Sequence, residues 1–153
     1  VPGGVLEHVA QDDAGHDARV VAHAEARAQH GVLARDRAQH GKKIAGHQLI
    51  ADKIAIMATK IDAARLLTHR AISLVQAGTR AETECSMAKW YATEMAIEAT
   101  RDALQIHGGN GVTREFIVER LVREAIICPI PDGTTEIQKL VVSRALTGIQ
   151  AFR

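Results

Sequence analysis

Residues 50–74 read IADKIAIMATKIDAARLLTHRAISL, and within them Ile50, Ile54, Met57, Ile61, Ala64, Leu67, Ala71 and Leu74 recur at steps of three and four. With 3.6 residues to a turn, side chains three and four apart share one face, so this spacing draws an apolar stripe along a helix of about seven turns. A stripe of that length is the seam of a helical bundle. Gln76-Ala77-Gly78-Thr79 breaks the pattern, and Thr79 or Arg80 opens a second long helix. The stripe of that helix includes Tyr91, Met95, Ala99 and Ala103, and Gly108 ends it. Upstream, an alanine-rich stretch from about Leu6 to Arg37 has high helix propensity, with Val20, Val21 and Val32 as its apolar anchors. Downstream, Phe116, Val118, Leu121 and Val122 mark a short helix, and Ile137, Leu140, Val141 and Leu146 a final one. Strand signals are essentially absent. Three long antiparallel helices and a shorter pair, joined by short loops, predict an all-α fold: an up-down four-helix bundle with an additional short helix, one domain over residues 1–153.

Composition agrees with one globular core. The 153 residues are 46% hydrophobic and 24% charged, with a formal charge of +1. So even a balance argues against nucleic acid as a partner, since phosphate binding leaves a basic excess. No apolar stretch approaches the ~20 residues that span a bilayer, and Val1-Pro2-Gly3-Gly4 lacks the regions of a signal peptide, so a soluble, cytoplasmic protein without membrane insertion is expected. Cys85 and Cys128 lie far apart without Cys-x-x-Cys spacing, and free thiols in a reducing compartment are expected rather than a disulfide or a zinc site. A chain that starts without methionine reads as a piece of something longer.

Two short runs carry chemistry. Gln105-Ile106-His107-Gly108-Gly109-Asn110-Gly111-Val112 places three glycines in four positions directly after a helix, freeing the backbone to reverse and to offer N–H groups at short range, which suits a phosphate. Its plainer reading is a helix-ending turn. Pro131-Asp132-Gly133-Thr134-Thr135-Glu136-Ile137-Gln138 sets an acid at or near a helix start, which suits either a base facing a cleft or a cap. His16, His23 and His30 repeat at seven-residue spacing, and His40 and His47 continue a similar interval. Positions i and i+7 stand about 10 Å apart along a helix axis, too far to share a metal, so these histidines are read as a polar face and no metal site is expected. Arg35-Asp36-Arg37 with Lys42 and Lys43 is either a basic patch for a phosphate-bearing ligand or a solvated turn, and Trp90 and Tyr91 are core or subunit-interface residues.

These residues, in this order, resemble the C-terminal domain of the acyl-CoA dehydrogenase family, FAD enzymes that introduce a double bond between the α and β carbons of acyl-CoA thioesters. Arg37-Ala38-Gln39-His40-Gly41 is similar to the family's Arg-x-Gln-Phe-Gly turn. The Gln105–Gly111 run with Thr113-Arg114-Glu115 and Val118-Glu119-Arg120 behind it forms a second block, and Asp132–Gln138 with Leu140-Val141-Val142-Ser143-Arg144 a third. Together they cover roughly residues 31–148.

The resemblance implies roles. The family's catalytic base is a Glu immediately before Gly-Thr, and Asp132 occupies that position, one methylene shorter and withdrawn by about 1.5 Å. Pro131 stands where an aromatic is usual, and with Pro129 it stiffens the approach to the acid. Other branches place the base on the first helix of this domain, where Glu7, Asp12 and Asp13 lie. Arg37 and Gln39 correspond to residues that reach the FAD pyrophosphate and adenosine of a neighbouring subunit, a guanidinium being suited to bidentate phosphate contact. His40 replaces the usual Phe of that cofactor contact. Gln105, Gly108 and Gly109 match a second adenosine and pyrophosphate contact, Thr134 and Gln138 match contacts near the flavin, and Gly133 falls to the substrate.

The family also has an N-terminal helical domain and a β-domain, which have no counterpart in these 153 residues. The implied function is therefore the C-terminal part of an acyl-CoA dehydrogenase, incomplete until joined to those domains on the same or a separate chain, with an electron-transfer flavoprotein as acceptor. The other class is an autonomous helical oligomerisation or binding module without catalysis. Dimers or tetramers of this chain are expected in either class.

Overall fold

The computed structural model describes residues 33–151. Residues 33–36 are helical. They lead into a hairpin of β1 (Ala38–Gln39) and β2 (Lys42–Lys43), a 3-10 turn at Ile44–Gly46, and four helices, α1 (Gln48–Gln76), α2 (Glu82–His107), α3 (Val118–Ile127) and α4 (Thr135–Thr147). A second 3-10 turn, Gly108–Val112, joins α2 to α3. The alanine-rich helix expected from about Leu6 lies outside the described residues except for its end, as do Glu7, Asp12, Asp13, His16, His23 and His30.

Helix α1 is the helix that the period of residues 50–74 predicts, and all eight stripe positions are buried or half-buried. It closes with a Schellman motif: the Gly78 N–H donates to the Val75 carbonyl at 2.9 Å and the Thr79 N–H to the Leu74 carbonyl at 3.0 Å, with Gly78 at φ +78°. Thr79 is thereby used up in ending α1, and Ala81 follows in the left-handed region at φ +45°. Helix α2 consequently begins at Glu82 rather than at Thr79 or Arg80.

Helix α2 is the axis of the bundle, packing against α1, α3 and α4. Ion pairs set the directions. Lys53 meets Asp102, Lys60 meets Glu98 and Arg70 meets Glu84, so numbers rise along α1 as they fall along α2 and the two helices run antiparallel. Thr135 on Glu94 and Arg144 on Glu82 give α4 the same sense against α2. Helix α2 buries Ser86, Thr93, Ala96, Thr100, Ala103 and His107, a stripe of mostly small residues that lets its neighbours approach. The two threonine hydroxyls in it donate to the carbonyls of Lys89 and Ala96 at 2.9 and 2.8 Å, so neither is buried without a partner. Ala34, Ile44, Met57, Ala103, Ile106 and Val118 form one core cluster around the C-terminal end of α2, and Ile61, Ala64 and Met95 a second farther back along it.

The hairpin departs from the expectation that strands are absent. Each strand has two residues, paired Ala38 with Lys43 and Gln39 with Lys42, too short for an alternating pattern to register in the sequence. His40 and Gly41 join them with φ +51° and +79°, the two positive values of a type I′ turn. The fold class is unchanged. Among the described residues no helix is long and apolar enough to cross a membrane.

The Lys60 pair makes a testable contribution to stability. Its hydrogen bond to Glu98, stronger than the opposing desolvation, holds the Lys60 amino group above the ordinary lysine range. A raised amino group favours the folded state at all pH below the unfolded value, about 10.4, and that contribution is lost as pH rises through the folded value. Because the pair is exposed, it falls within the ~0–1 kcal/mol of surface ion pairs. Between about pH 9 and about pH 12, the urea midpoint of the wild type is expected to fall more than that of Lys60→Met; parallel curves would show that the pair contributes nothing.

Candidate functional site

The first two sequence blocks meet at the C-terminal end of α2. Arg37, placed just before β1, sends Nη1 across 70 positions to the His107 carbonyl at 2.8 Å. That carbonyl lies in the last turn of the helix, where no intrahelical donor follows and a cation is favoured by the helix dipole. His107 is itself buried, with Nδ1 2.9 Å from the Ala103 carbonyl and its ring edge-on to Phe116 at 5.5 Å. Arg37 also accepts a backbone bond from Ile44 at 2.9 Å, which ties the hairpin to the same spot. Gln39 and His40 are exposed at the hairpin tip, where the His47 ring contacts the Gln39 carbonyl at 3.2 Å and stands edge-on to His40 at 6.3 Å.

Gly108 then leaves the helix at φ +61°, ψ −138°, a conformation closed to residues with a Cβ. Gly109 differs, since a Cβ there would meet nothing within 4 Å. The glycine run thus combines a helix-ending residue, Gly108, whose missing Cβ would lie 3.9 Å from Arg37 Nη1, with Gly109, which stands in open space. A guanidinium has five N–H donors and the His107 bond uses one. Gln105, exposed on the last turn of α2, completes this cluster.

The third block forms a tight loop before α4. Asp132 is left-handed at φ +55°, and Gly133 follows at φ +90°, where a Cβ would come within 2.9 Å of the Gln138 Nε2. Two side chains hold this backbone. Lys89 of α2 donates to both the Pro131 and Gly133 carbonyls, and Gln138 Nε2 donates to the Asp132 and Gly133 carbonyls at 3.1 and 3.2 Å. Thr135, buried at the start of α4, donates its hydroxyl to Glu94 of α2 at 2.6 Å. The structure does not bear out the helix-capping alternative for Asp132: the N-cap residue of α4 is Thr134, whose side chain makes no capping bond. Instead Thr134 bonds the Glu136 carboxylate, which holds that group below the usual carboxylate range. Burial pushes the Lys89 amino group below the ordinary lysine range, against the opposing pull of the Asp132 charge.

The sequence-predicted residues therefore form two clusters. Arg37, Gln39, His40, Gln105, Gly108 and Gly109 gather at one end of α2. Asp132, Gly133, Thr134 and Gln138 gather opposite Lys89 and Glu94. Lys89 and His107 are 18 positions apart on one helix, so the clusters are separated by ~27 Å along its axis. Lys89 and Glu94 are the side chains that sequence reading missed. One signal existed for Lys89: with Ser86, Thr93, Ala96, Thr100, Ala103 and His107 it completes an alternation of three and four, and a lysine on a stripe of small buried residues calls for carbonyl or carboxylate partners. Among the described residues no three His, Cys, Asp or Glu side chains gather as metal ligands.

Comparison with known proteins follows the same blocks. Residues 18–147 match the family described as acyl-CoA dehydrogenase, C-terminal domain. The chain is 44% identical over 126 residues to an acyl-CoA dehydrogenase of Bacillus subtilis, covering 82% of this chain and 33% of that protein. It is 46% identical over 113 residues to a subunit of the caffeyl-CoA reductase-Etf complex of Acetobacterium woodii, covering 74% of this chain and 30% of that protein. Among solved structures, glutaryl-CoA dehydrogenase from Mycobacterium smegmatis superposes with a TM-score of 0.84 at 30% identity, over 88% of this chain and 35% of the other. The chain thus spans about a third of the length of the curated relatives it matches.

The two glycines at the end of α2 separate strain from open space. Gly108→Ala is expected to destabilise by about 1–3 kcal/mol, and Gly109→Ala to stay within about 0.5 kcal/mol of wild type. Urea unfolding of the two variants side by side measures the difference, and equal midpoints would remove the strained turn from the account.

Proposed function

This chain belongs to the acyl-CoA dehydrogenase family, and on that premise we propose that residues 1–153 are the C-terminal helical unit of a flavin-dependent acyl-CoA dehydrogenase. Its reaction is α,β-dehydrogenation of an acyl-CoA thioester, completed by an N-terminal helical domain and a β-domain on the same or a separate chain. The observation that carries this reading is the Pro131–Thr134 loop, in which an acid at the family's base position is held left-handed ahead of Gly-Thr. Asp132 is the base that takes the α-proton. Gly133, without a side chain, leaves room for the thioester to approach.

The cofactor is FAD. Its fit rests on the donor set at the C-terminal end of α2: the guanidinium of Arg37 supplies the positive charge that an anionic pyrophosphate needs, and the amide of Gln39, the ring of His40 and the open backbone at Gly109 add polar contacts. Gln105 and Gly108 belong to the same group, and Thr134 and Gln138 to the flavin end. FAD, when bound, supplies the acceptor for the β-hydride. The two clusters stand ~27 Å apart along α2, which supports assigning the Arg37 cluster to the cofactor of a neighbouring copy and makes a homodimer or tetramer the working form. An electron-transfer flavoprotein is the electron acceptor and the setting is cytoplasmic, without nucleic acid.

A second reading, a helical oligomerisation unit without catalysis, has one observation in its favour. Leu49, Leu66, Leu146 and Ile149 are each more than 70% exposed, apolar area that an assembled bundle would cover.

The chain is incubated with FAD and its visible absorbance measured after the excess is removed. Retained flavin, lost in Arg37→Met and reduced in Gly109→Ala, is the outcome expected if packed bundles hold the cofactor. With the remaining domains supplied, Asp132→Asn should lower acyl-CoA turnover by about 10²–10⁴-fold at unchanged flavin content. Turnover that survives Asp132→Asn would remove Asp132 as the base, and a wild type without turnover would leave the oligomerisation unit as the better account.

A further inference from the structure

We infer that Lys89 is the positioning residue of this site, fixing where the Asp132 carboxylate stands by bridging the carbonyls on either side of it. The inference rests on the reading of Asp132 as the base. A left-handed residue other than glycine persists only where its surroundings hold it. Asp132 has that conformation, and the carbonyls of 131, 132 and 133 are all engaged by side chains from outside the loop.

Gln138 sits on α4, which begins where the loop ends, and so can move with it. Lys89 belongs to α2 and comes from 42 and 44 positions away. It alone of the two ties the loop to the central helix through backbone atoms, and the Thr135–Glu94 bond, two positions beyond Gly133, fastens the start of α4 to the same helix. An ammonium has three donors and no acceptor, so it can hold two carbonyls at once without competing for the acid's role as proton acceptor. The half-burial of Lys89 in the stripe of α2 limits its stem to one direction. Burial lowers the Lys89 amino group, and the neighbouring Asp132 charge opposes that lowering.

Lys89→Met keeps the stem and removes the donors, whereas Lys89→Arg keeps charge and donors. Amide hydrogen exchange of the chain is read at Gly133, Thr134 and Thr135, the last of which donates to the Pro129 carbonyl at 3.2 Å. In Lys89→Met these amides are expected to exchange at least about tenfold faster while those of Thr93–Ala103 are unchanged, and Lys89→Arg to remain within about twofold of wild type. Loop exchange unaltered by Lys89→Met, or an equal rise all along α2, overturns the inference. In the flavin-loaded enzyme with its remaining domains, Lys89→Met should lower kcat about 100-fold at near-constant KM, with most of the loss restored in Lys89→Arg. A loosened loop with unchanged kcat overturns the positioning role. A wild type that oxidises no acyl-CoA while its loop exchange responds as expected overturns the acyl-CoA reading and upholds the Lys89 bridge.

Discussion

Everything described in this chain leans on α2, a helix covered by α1, α3 and α4, and where neighbours approach such a helix closely its face carries small side chains or polar ones with internal partners. One stripe of α2 has this character. Ala88, Ala96 and Ala103 bring backbones close, and Thr93 and Thr100 turn their hydroxyls onto their own helix. Small residues bury little area, so the apolar stabilisation comes from the larger side chains around them, Met57 and Ile61 of α1, Val118 of α3 and Met95 and Ile106 of α2 itself, at about 1.5–3 kcal/mol for each large side chain taken fully out of water. Helix α1 faces the opposite situation, with one covered stripe, and leaves Leu49 and Leu66 outward.

The same helix organises the irregular backbone. Arg37 ties the hairpin to its C-terminal carbonyl, and Lys89 ties the Asp132 loop to its earlier turns. In both places a cation on a long stem holds carbonyls that no secondary structure serves, and a hydrogen bond to a charged group contributes more than a neutral one, roughly 1.5–3 kcal/mol. Both segments contain residues at positive φ, His40 and Gly41 in one and Asp132 and Gly133 in the other. At His40 and Asp132, which carry a Cβ, that conformation is costly and needs such outside support. The candidate site is therefore two strained loops, each anchored by one cation to a rigid helix, which is the form a preorganised binding or catalytic site takes.

Much of the fold was legible in the residues. The spacing from Ile50 to Leu74 forecast α1, Gly78 its end, and Gly108 the end of α2. Ala81 was not legible as a break, because nothing about an alanine announces a positive φ, and the hairpin was not, because two-residue strands have no period to read. In the site, the glycine run and the Asp-Gly-Thr run stood out as local patterns, yet their attachment points did not. Lys89 and Glu94 are ordinary helix residues until a loop some 40 positions later closes on them.

The sequence by itself determined what depends on local geometry: the 3.6-residue period that makes α1 and α2 helices, the glycines that let Gly108 and Gly133 adopt their turns, and the order of the three blocks that marks the family. The tertiary structure alone decided which carbonyls Arg37 and Lys89 hold, that Asp132 stands left-handed rather than as a cap, and that the site residues divide into clusters at two stations along one helix. The physical reason is range. Helix period and turn conformation are set by sterics between near neighbours, whereas a bond across 42 or 70 positions exists only after the chain has closed and packed around α2.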